Sequence, residues 1–383
     1  MRKIKFTGIL ICLITMTLLS SCVDERIIEE LGIVTVYGFD YSDSADQIDG
    51  TTVLYQFNPD ITDASQIIHS TGNTFDGIRD NANKQSGYKI VNGQLQNVIF
   101  GPNMSENGIF PYLDSIERNT AVSVMLYVAL SDEPTRNLLS ASNYEEAPNI
   151  GIYLQRLIET AVRDERIVSS TFHEFMRSYF QVGKDPVVPI LSEEDNKVRV
   201  NGIGALQDDV LVGEYTMEEA FYVRLLTDRF DSGRVELALG LEQFEGFISE
   251  HANREQEEEQ MFLTIDQITS DTTIDLKDKD AINFMVEISM DARVIELSQR
   301  INLDNPEAIK LIQEAVEKKL ESNLKEVVKK SKEMNTDVFG FGVEYDNRTR
   351  DEELTKKQWR DLFPTVEVDY QIDLEIKRFG TVQ

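Results

Sequence analysis

The sequence predicts an α+β protein with more than one domain, built from mixed and antiparallel β-sheets flanked by helices. In the first half, runs rich in β-branched and aromatic residues alternate with helix-like segments, which favours a partly parallel α/β sheet. In the second half, two long segments alternate between apolar and polar residues, which is typical of antiparallel strands with one buried face. An amphipathic stretch between them predicts a C-terminal antiparallel sheet packed on one long helix.

The elements of the first half follow from composition and turn signals. An acidic loop between the first two runs favours a hairpin. The predicted strands are residues 31–40, 51–57, 96–101 and 122–130. The predicted helices are residues 74–85, 109–118, 150–164 and 171–181.

A domain boundary is predicted after residues 184–190, KDPVVPI, which carry two prolines and precede a polar, acidic run. We therefore predict an N-terminal α/β domain over residues 22–191. Residues 198–383 are predicted to form a C-terminal α+β region of one or two subdomains.

In the C-terminal region, residues 280–296 and 365–377 are the two alternating segments. Residues 306–332 form the predicted helix, with Asn305 as its cap, Pro306 in its first turn and lysines gathered near its end. Its apolar residues recur every three or four positions, and it would be roughly 40 Å long. A core helix lying on the sheet is favoured, and a coiled-coil partner helix is the alternative.

The N-terminus has the organisation of a secretory signal. Three basic residues precede an apolar run over residues 6–19, too short for the ~20 residues that span a bilayer. Residues 19–22, LSSC, resemble a bacterial lipobox, which predicts removal of residues 1–21 and lipidation of Cys22. Two alternatives are an ordinary signal peptide cut near Ser21 and an uncleaved signal anchor.

Cysteine usage agrees with an anchor at Cys22. The other cysteine of the 383-residue chain, Cys12, lies in the segment to be removed, so no disulfide framework is available. Two or three acyl chains hold a protein durably on a membrane, whereas one binds marginally. The mature chain is therefore expected on a membrane face outside the cytoplasm, with a soluble body.

The charge balance excludes one class of partner. The formal net charge is −30, and removing the three basic residues of the signal leaves 35 basic against 68 acidic residues, a net charge of −33. Such a surface repels phosphate backbones and anionic lipid headgroups, so nucleic-acid binding is excluded.

Motifs of catalysis or metal binding are scarce. His69, His173 and His251 are far apart, and the FHEF run around His173 lacks a second ligand one helical turn later, so His173 is expected on a helix face. Asp40, Asp43, Asp46 and Asp49 share a loop without EF-hand spacing, which favours a solvated turn over a calcium site. The sequence thus predicts a non-enzymatic protein without cofactor or metal. An anchored hydrolase with an unfamiliar site stays open.

The run FGFG at residues 339–342 follows the long helix. Its glycines permit a turn with positive φ. Packing of its two aromatic rings beneath the turn is favoured over contact with a partner protein.

Short motifs occur in a fixed order along the chain. They are Cys22 with the acidic run to Gly32, GFD at 38–40, PYLD at 111–114 with Arg118, PI at 189–190, NGIGAL at 201–206 with VG at 212–213, DVFGFG at 337–342 with Trp359 and Phe363, and KRFG at 377–380. In this order they resemble the Ger(x)C family, the C subunits of the nutrient germinant receptors of endospore-forming bacteria. The chain departs from the family pattern at Val23, where tryptophan is usual, and at 201–206, which lacks the usual aromatic.

The resemblance implies an α+β fold and a non-catalytic lipoprotein, lipidated at Cys22, on the outer face of the spore inner membrane. It implies assembly with two membrane-embedded receptor subunits, one of them permease-like. It supplies no catalytic motif to carry over. The alternative is a lipid-anchored solute-binding protein, which would have two lobes of parallel sheet around a cleft.

Overall fold

The computed structural model describes residues 28–42, 47–57, 65–142, 144, 147–248, 259–349 and 354–379. Within them, thirteen strands form two sheets. The strands are β1 Leu31–Tyr41, β2 Ile48–Tyr55, β3 Ser65–Gly72, β4 Lys89–Val91, β5 Asn97–Phe100, β6 Tyr127–Ser131, β7 Val187–Glu194, β8 Lys197–Gln207, β9 Val210–Thr216, β10 Gly233–Gly240, β11 Gln260–Asp278, β12 Asn283–Leu297 and β13 Glu367–Phe379.

Ten α-helices connect or cover these strands in the same part of the chain. They are α1 Phe75–Asn83, α2 Pro102–Ser105, α3 Phe110–Glu117, α4 Thr135–Leu138, α5 Ile150–Arg163, α6 Phe172–Phe180, α7 Met217–Thr227, α8 Pro306–Met334, α9 Phe341–Arg348 and α10 Lys356–Leu362. The predicted α+β class is confirmed. The predicted helices of the first half are present, with ends shifted by a few residues at most.

The first sheet is mixed. Its order is β3-β2-β1-β5-β6-β7-β8-β9, with β4 paired to β1. Neighbours from β1 through β5 and β6 to β7 run parallel, and the hairpins on both sides are antiparallel. The central strands are buried on both faces: Tyr37 and Phe39 point into one core and Val36 into the other. Parallel strands need helices on both faces, which explains the alternation of strands and helices in the sequence.

The first sheet continues past the proline-containing segment. Residues 184–190 lead into β7, and β7 and β8 form a hairpin in which Glu194 faces Lys197. Strand β9 then completes the sheet at Thr216. The domain limits at residues 191 and 198 therefore fall within one sheet, and the division into domains stays a prediction.

One predicted strand is shorter than expected. Residues 122–130 were predicted to be extended, but β6 begins at Tyr127. Its neighbour β5 has only four residues to pair with, so the preceding residues have no strand beside them. Val124 and Met125 are exposed instead, at 53% and 65%.

The second sheet corrects one prediction. Its order is β10-β11-β12-β13, and the first three strands are antiparallel as predicted. Strand β13, however, runs parallel to β12 over a register from Asn283 and Glu367 onwards. The reason is the connection: α8 carries the chain back along the sheet, so that β13 starts at the same end as β12. Alternation of apolar residues encodes the buried face of a strand and not its direction.

The long helix α8 is confirmed as a core helix. Asn305 caps it by accepting a hydrogen bond from the Glu307 N–H, and Asn335 ends it in a left-handed conformation. Its apolar stripe is buried in the core shared with the second sheet. Helix α8 also covers the edge of that sheet, because Glu317 accepts from the Leu374 N–H at 2.9 Å and Gln313 donates to the Leu374 carbonyl.

Candidate functional site

The predicted lipidation site, Cys22, lies outside the described residues, as does the signal segment before it. The described chain begins at Ile28, in a short 3-10 helix that leads directly into β1. Among the described helices, none is long and apolar enough to traverse a bilayer.

Within the described residues, the densest polar cluster lies where the first sheet meets the second. Its centre is Asp337, which is 1% exposed and opens the DVFGFG motif. Asp337 Oδ1 accepts from the N–H groups of Phe339 (3.2 Å) and Gly340 (2.8 Å). Its Oδ2 accepts from the Gly342 N–H (2.8 Å) and from Trp359 Nε1 (3.0 Å). One carboxylate thus holds the loop after α8 and joins it to helix α10.

Asp337 is also bonded to the segment that leads into the first sheet. Its N–H donates to Asp185 Oδ2 at 3.0 Å, and its carbonyl accepts from the Asp185 N–H at 2.8 Å. Asp185 Oδ1 accepts in turn from the N–H of Asp208, in the turn between β8 and β9. These bonds connect backbone from both sheets through two buried carboxylates.

Two cations of α10 complete the cluster. Arg360 lies 2.5 Å from Asp208 Oδ2 and 3.8 Å from Asp185 Oδ1. Lys356 lies 2.7 Å from Asp208 Oδ1 and 4.6 Å from the centre of the Tyr179 ring. Helix α10 therefore contacts the first sheet mainly through charged side chains that each have a partner.

The glycines of the motif are explained by this packing. Gly340 has φ +90°, a conformation that side chains rarely adopt. A Cβ on Gly342 would lie 2.4 Å from the Gly183 Cα and 2.5 Å from the Trp359 ring. Phe339 and Phe341 are buried beneath the turn, so the expected packing of the aromatics is confirmed.

Burial dominates the titration of the two carboxylates. It raises the pKa of Asp337 to about 7, and the N–H groups of Gly342 and Gly340 oppose the rise. Burial likewise raises the pKa of Asp185 above its usual value. The N–H donors around Asp337 favour its ionised form and burial disfavours it, and burial is the larger effect.

A second polar connection joins the sheets nearby. Arg224 of α7 and Glu165, which follows α5, are both buried, with their side chains 3.8 Å apart. Arg224 also donates to the Ile167 carbonyl and lies over the Phe230 ring. Glu165 accepts from the N–H groups of Asp231 and Ser232 ahead of β10.

A cavity of about 290 Å³ lies beside this junction. Its walls come from α6, from the segment entering β7, from the end of α7 and from Val338 of the motif loop. The cavity is therefore lined by the start of β7 in the first sheet and, through Val338, by the loop that packs in the core of the second sheet.

The described histidines and aspartates that the sequence analysis considered for catalysis or metal binding do not form a common site in the fold. His173 lies on the exposed face of α6, as expected, and His69 lies on β3 with its Nδ1 3.2 Å from Thr51 Oγ1. Asp40 binds the N–H and hydroxyl of Thr135, which fixes α4 to the end of β1. His251, Asp43 and Asp46 lie outside the described residues. The described residues contain no group of three or more His, Cys, Asp or Glu side chains arranged so that they could hold a metal ion.

Comparison with known proteins identifies the family to which the chain belongs. A family model described as the spore germination protein N-terminal domain matches residues 24–193, and one described as spore germination B3/GerAC-like, C-terminal, matches residues 201–380. The chain belongs to the Ger(x)C family of spore germination proteins. It is thus a member of the germinant-receptor C-subunit family, and its DVFGFG motif with Trp359 forms the buried junction described above.

Individual relatives agree with this assignment. The chain is 22% identical over 372 residues to spore germination protein GerQC of Bacillus cereus, covering 97% of this chain and 98% of the relative. It is 20% identical over 302 residues to the putative spore germination protein YfkR of Bacillus subtilis (strain 168), covering 76% and 73%. The crystal structure of the GerBC protein aligns with a TM-score of 0.50 at 12% identity, covering 89% of this chain and 97% of that one, which shows a shared fold.

The sequence did not single out Asp185, Asp208, Arg360 or Lys356 as members of this site. The contacts of Asp185 with Asp337 and of Lys356 with Asp208 join residues more than a hundred positions apart, which a single sequence does not reveal. Of these four residues, only Asp185 lies in a segment that the sequence analysis singled out, the predicted domain boundary at residues 184–190.

Proposed function

We propose that this protein is a non-catalytic, lipid-anchored subunit of a spore nutrient germinant receptor, held by Cys22 on the outer face of the spore inner membrane. It assembles there with two membrane-embedded subunits, one of them permease-like. The observation that carries the proposal is the match of both germination-protein domains over residues 24–193 and 201–380, directly behind a lipobox-like cysteine.

The junction supports a structural role for the buried carboxylates. Asp337 receives four N–H donors and Asp185 receives two, so their oxygens are occupied by backbone and indole groups. A general base needs a free lone pair directed at its substrate. Asp337 and Asp185 instead connect backbone segments of the two sheets, a structural role that suits a non-catalytic subunit.

The anchor is consistent with the position of β1. Five residues lie between Cys22 and Ile28, so the two Cα atoms are at most about 22 Å apart when the chain is fully extended. Strand β1 lies in the middle of the first sheet. Lipidation would hold that sheet, rather than the second one, next to the membrane.

The test is an intact-mass and fractionation comparison in a spore-forming host. We expect the wild-type protein to lose residues 1–21, gain acyl mass, fractionate with the spore inner membrane and co-purify with two polytopic proteins. Cys22→Ala should carry no acyl mass. Cys12→Ala is the matched control and should behave as wild type, because Cys12 lies in the removed segment.

The same measurements distinguish the alternatives to lipidation from one another. A free chain starting near residue 22 without lipid indicates an ordinary signal peptide, and retention of residues 1–21 indicates a signal anchor. Either result contradicts lipidation at Cys22. A lipidated protein that co-purifies with no polytopic partner contradicts the receptor assembly.

The other candidate, a lipid-anchored solute-binding protein, is disfavoured by the architecture. It requires two lobes of parallel sheet, whereas two of the three strand pairs in the second sheet are antiparallel.

A further inference from the structure

Two positively charged side chains, the partly buried Lys184 and the exposed Arg177, line the cavity beside the junction. Neither side chain forms a direct hydrogen bond or ion pair with any residue that the structure describes. The aliphatic stem of Lys184 lies beside Gly340, with its Cδ 3.4 Å from the place a Cβ would take there.

The carboxylates around the cavity have hydrogen-bond partners of their own, and the charges of Asp228 and Glu174 act on Lys184 without a direct contact. Asp185 accepts from two backbone N–H groups and neighbours Arg360. Glu174 is the partner of Thr171 in the capping box of α6. Asp228 accepts from the Arg229 N–H and lies 3.5 Å from Arg224. The two cations are therefore the charged groups of the cavity wall that have no hydrogen-bonding partner among the described residues.

An unpaired, partly buried ammonium group is costly for a folded protein. Burial lowers the pKa of Lys184, and the nearby Arg177 guanidinium lowers it further. An apolar side chain of similar length would fit the same place without this cost. An anion between the two cations would offset it.

The remaining wall fits the body of a small organic molecule. Ser178 presents a hydroxyl with no hydrogen-bond partner in the described part of the chain, and Phe175, Pro186 and Val338 present apolar surface. The volume of about 290 Å³ lies just below the usual range for small-molecule sites, roughly 300–1,000 Å³, so only a small ligand would fit.

We propose that this cavity binds a small organic acid, whose carboxylate lies between Lys184 and Arg177 and whose short apolar part packs against Phe175 and Val338. Because Phe175 belongs to α6 and Val338 to the loop after α8, an occupied cavity stabilises the junction between the two sheets. The proposal is independent of lipidation and of receptor assembly.

The experiment measures thermal unfolding of the full chain, purified in mild detergent, in sodium chloride, acetate, butyrate, succinate and phosphate at constant ionic strength. We expect a saturable rise in Tm with at least one of the carboxylates. Lys184→Met should weaken the apparent affinity at least about tenfold while keeping the Tm in chloride equal to or above that of wild type. Arg177→Met should weaken it in the same direction.

Lys357→Met is the matched control, since Lys357 is an exposed lysine on α10 outside the cavity. It should bind as wild type does. The proposal is overturned if no carboxylate gives a saturable rise, or if Lys184→Met shows the same rise as wild type, which would indicate a general salt effect. A saturable rise with phosphate alone overturns the assignment to organic acids.

Discussion

The indole Nε1 of Trp359 donates to Oδ2 of Asp337 at 3.0 Å, deep in the interior of the protein. This bond ties helix α10 to the turn that follows the long helix α8. The same carboxylate accepts three backbone N–H groups, and the Asp337 N–H reaches Asp185 near the first sheet. The DVFGFG motif, which the sequence predicts as a turn, therefore lies at the centre of a buried hydrogen-bond network.

Loss of the indole donor should be measurable. We expect Trp359→Phe to lower the free energy of unfolding by about 2 kcal/mol at pH 8, because a buried carboxylate loses one of its four donors. Urea denaturation checks this. Tyr345→Phe is the control: its ring lies 5.5 Å from that of Trp359, and its hydroxyl has no hydrogen bond to a described residue. Equal losses in both variants would mean that packing, and not the hydrogen bond, is what matters.

The close approach at Gly342 gives a second prediction. A methyl group there meets the Gly183 backbone and the Trp359 ring at about 2.5 Å or less, so Gly342→Ala should destabilise the protein by about 3 kcal/mol. Gly240→Ala is the matched control, since a Cβ at Gly240 has no atom within 4 Å. Thermal unfolding of both variants is the measurement. A Gly342→Ala protein as stable as the control would show that the turn and α10 separate easily.

The buried carboxylate also predicts a pH dependence. Folding raises the pKa of Asp337 from 3.8 to about 7, so between these values the folded state binds a proton that the unfolded state has released. The stability that protonated Asp337 contributes is present below about pH 4 and is lost as the pH rises through 7. For one proton the slope is at most about 1.4 kcal/mol per pH unit.

Asp337→Asn isolates this contribution. The variant should be less stable than wild type at pH 8, because an amide nitrogen cannot accept the N–H bonds. Its stability should fall less steeply between pH 4 and 7 than that of wild type. Urea unfolding at several pH values measures the difference in slope. Parallel curves for the two proteins would contradict the assignment of this titration to Asp337.

The contact between Arg224 and Glu165 should contribute to the free energy of unfolding about as much as the network around Asp337. We expect Arg224→Met to cost about 3 kcal/mol of unfolding free energy, because it leaves Glu165 buried without its cation. Arg229→Met serves as the exposed comparison, since Arg229 and Asp231 are each 69% exposed and such pairs contribute less than about 1 kcal/mol. A similar, small loss in both variants would indicate that solvent reaches Glu165.

Much of the fold could be predicted from local patterns. The helix over 306–332 was predicted from Asn305, Pro306 and its apolar spacing, and it is present over Pro306–Met334. The parallel pairing of β13 with β12 could not be predicted. Apolar residues such as Val368 and Tyr370 alternate with polar ones in the same way whether the strand runs parallel or antiparallel. Strand β6 was predicted too long because its length depends on β5, a neighbour in space rather than in sequence.

The sequence revealed only part of the junction around Asp337, because its partners are neighbours in space and not in sequence. The motif at residues 337–342 was recognised by its resemblance to a family, and its glycines indicated a turn. Its function as a junction depends on Asp185, 152 positions away, and on Trp359. Lys184 was noted only as part of a boundary, because an unpaired charge is a property of the folded neighbourhood.

The cover that α8 gives to β13 has a further consequence for neighbouring copies of the protein. Glu317 and Gln313 occupy the outward N–H and C=O groups of Leu374, at the edge where another strand would otherwise add. The contact of α8 with Leu374 therefore blocks strand addition at that point of β13, which limits edge-to-edge pairing between neighbouring copies.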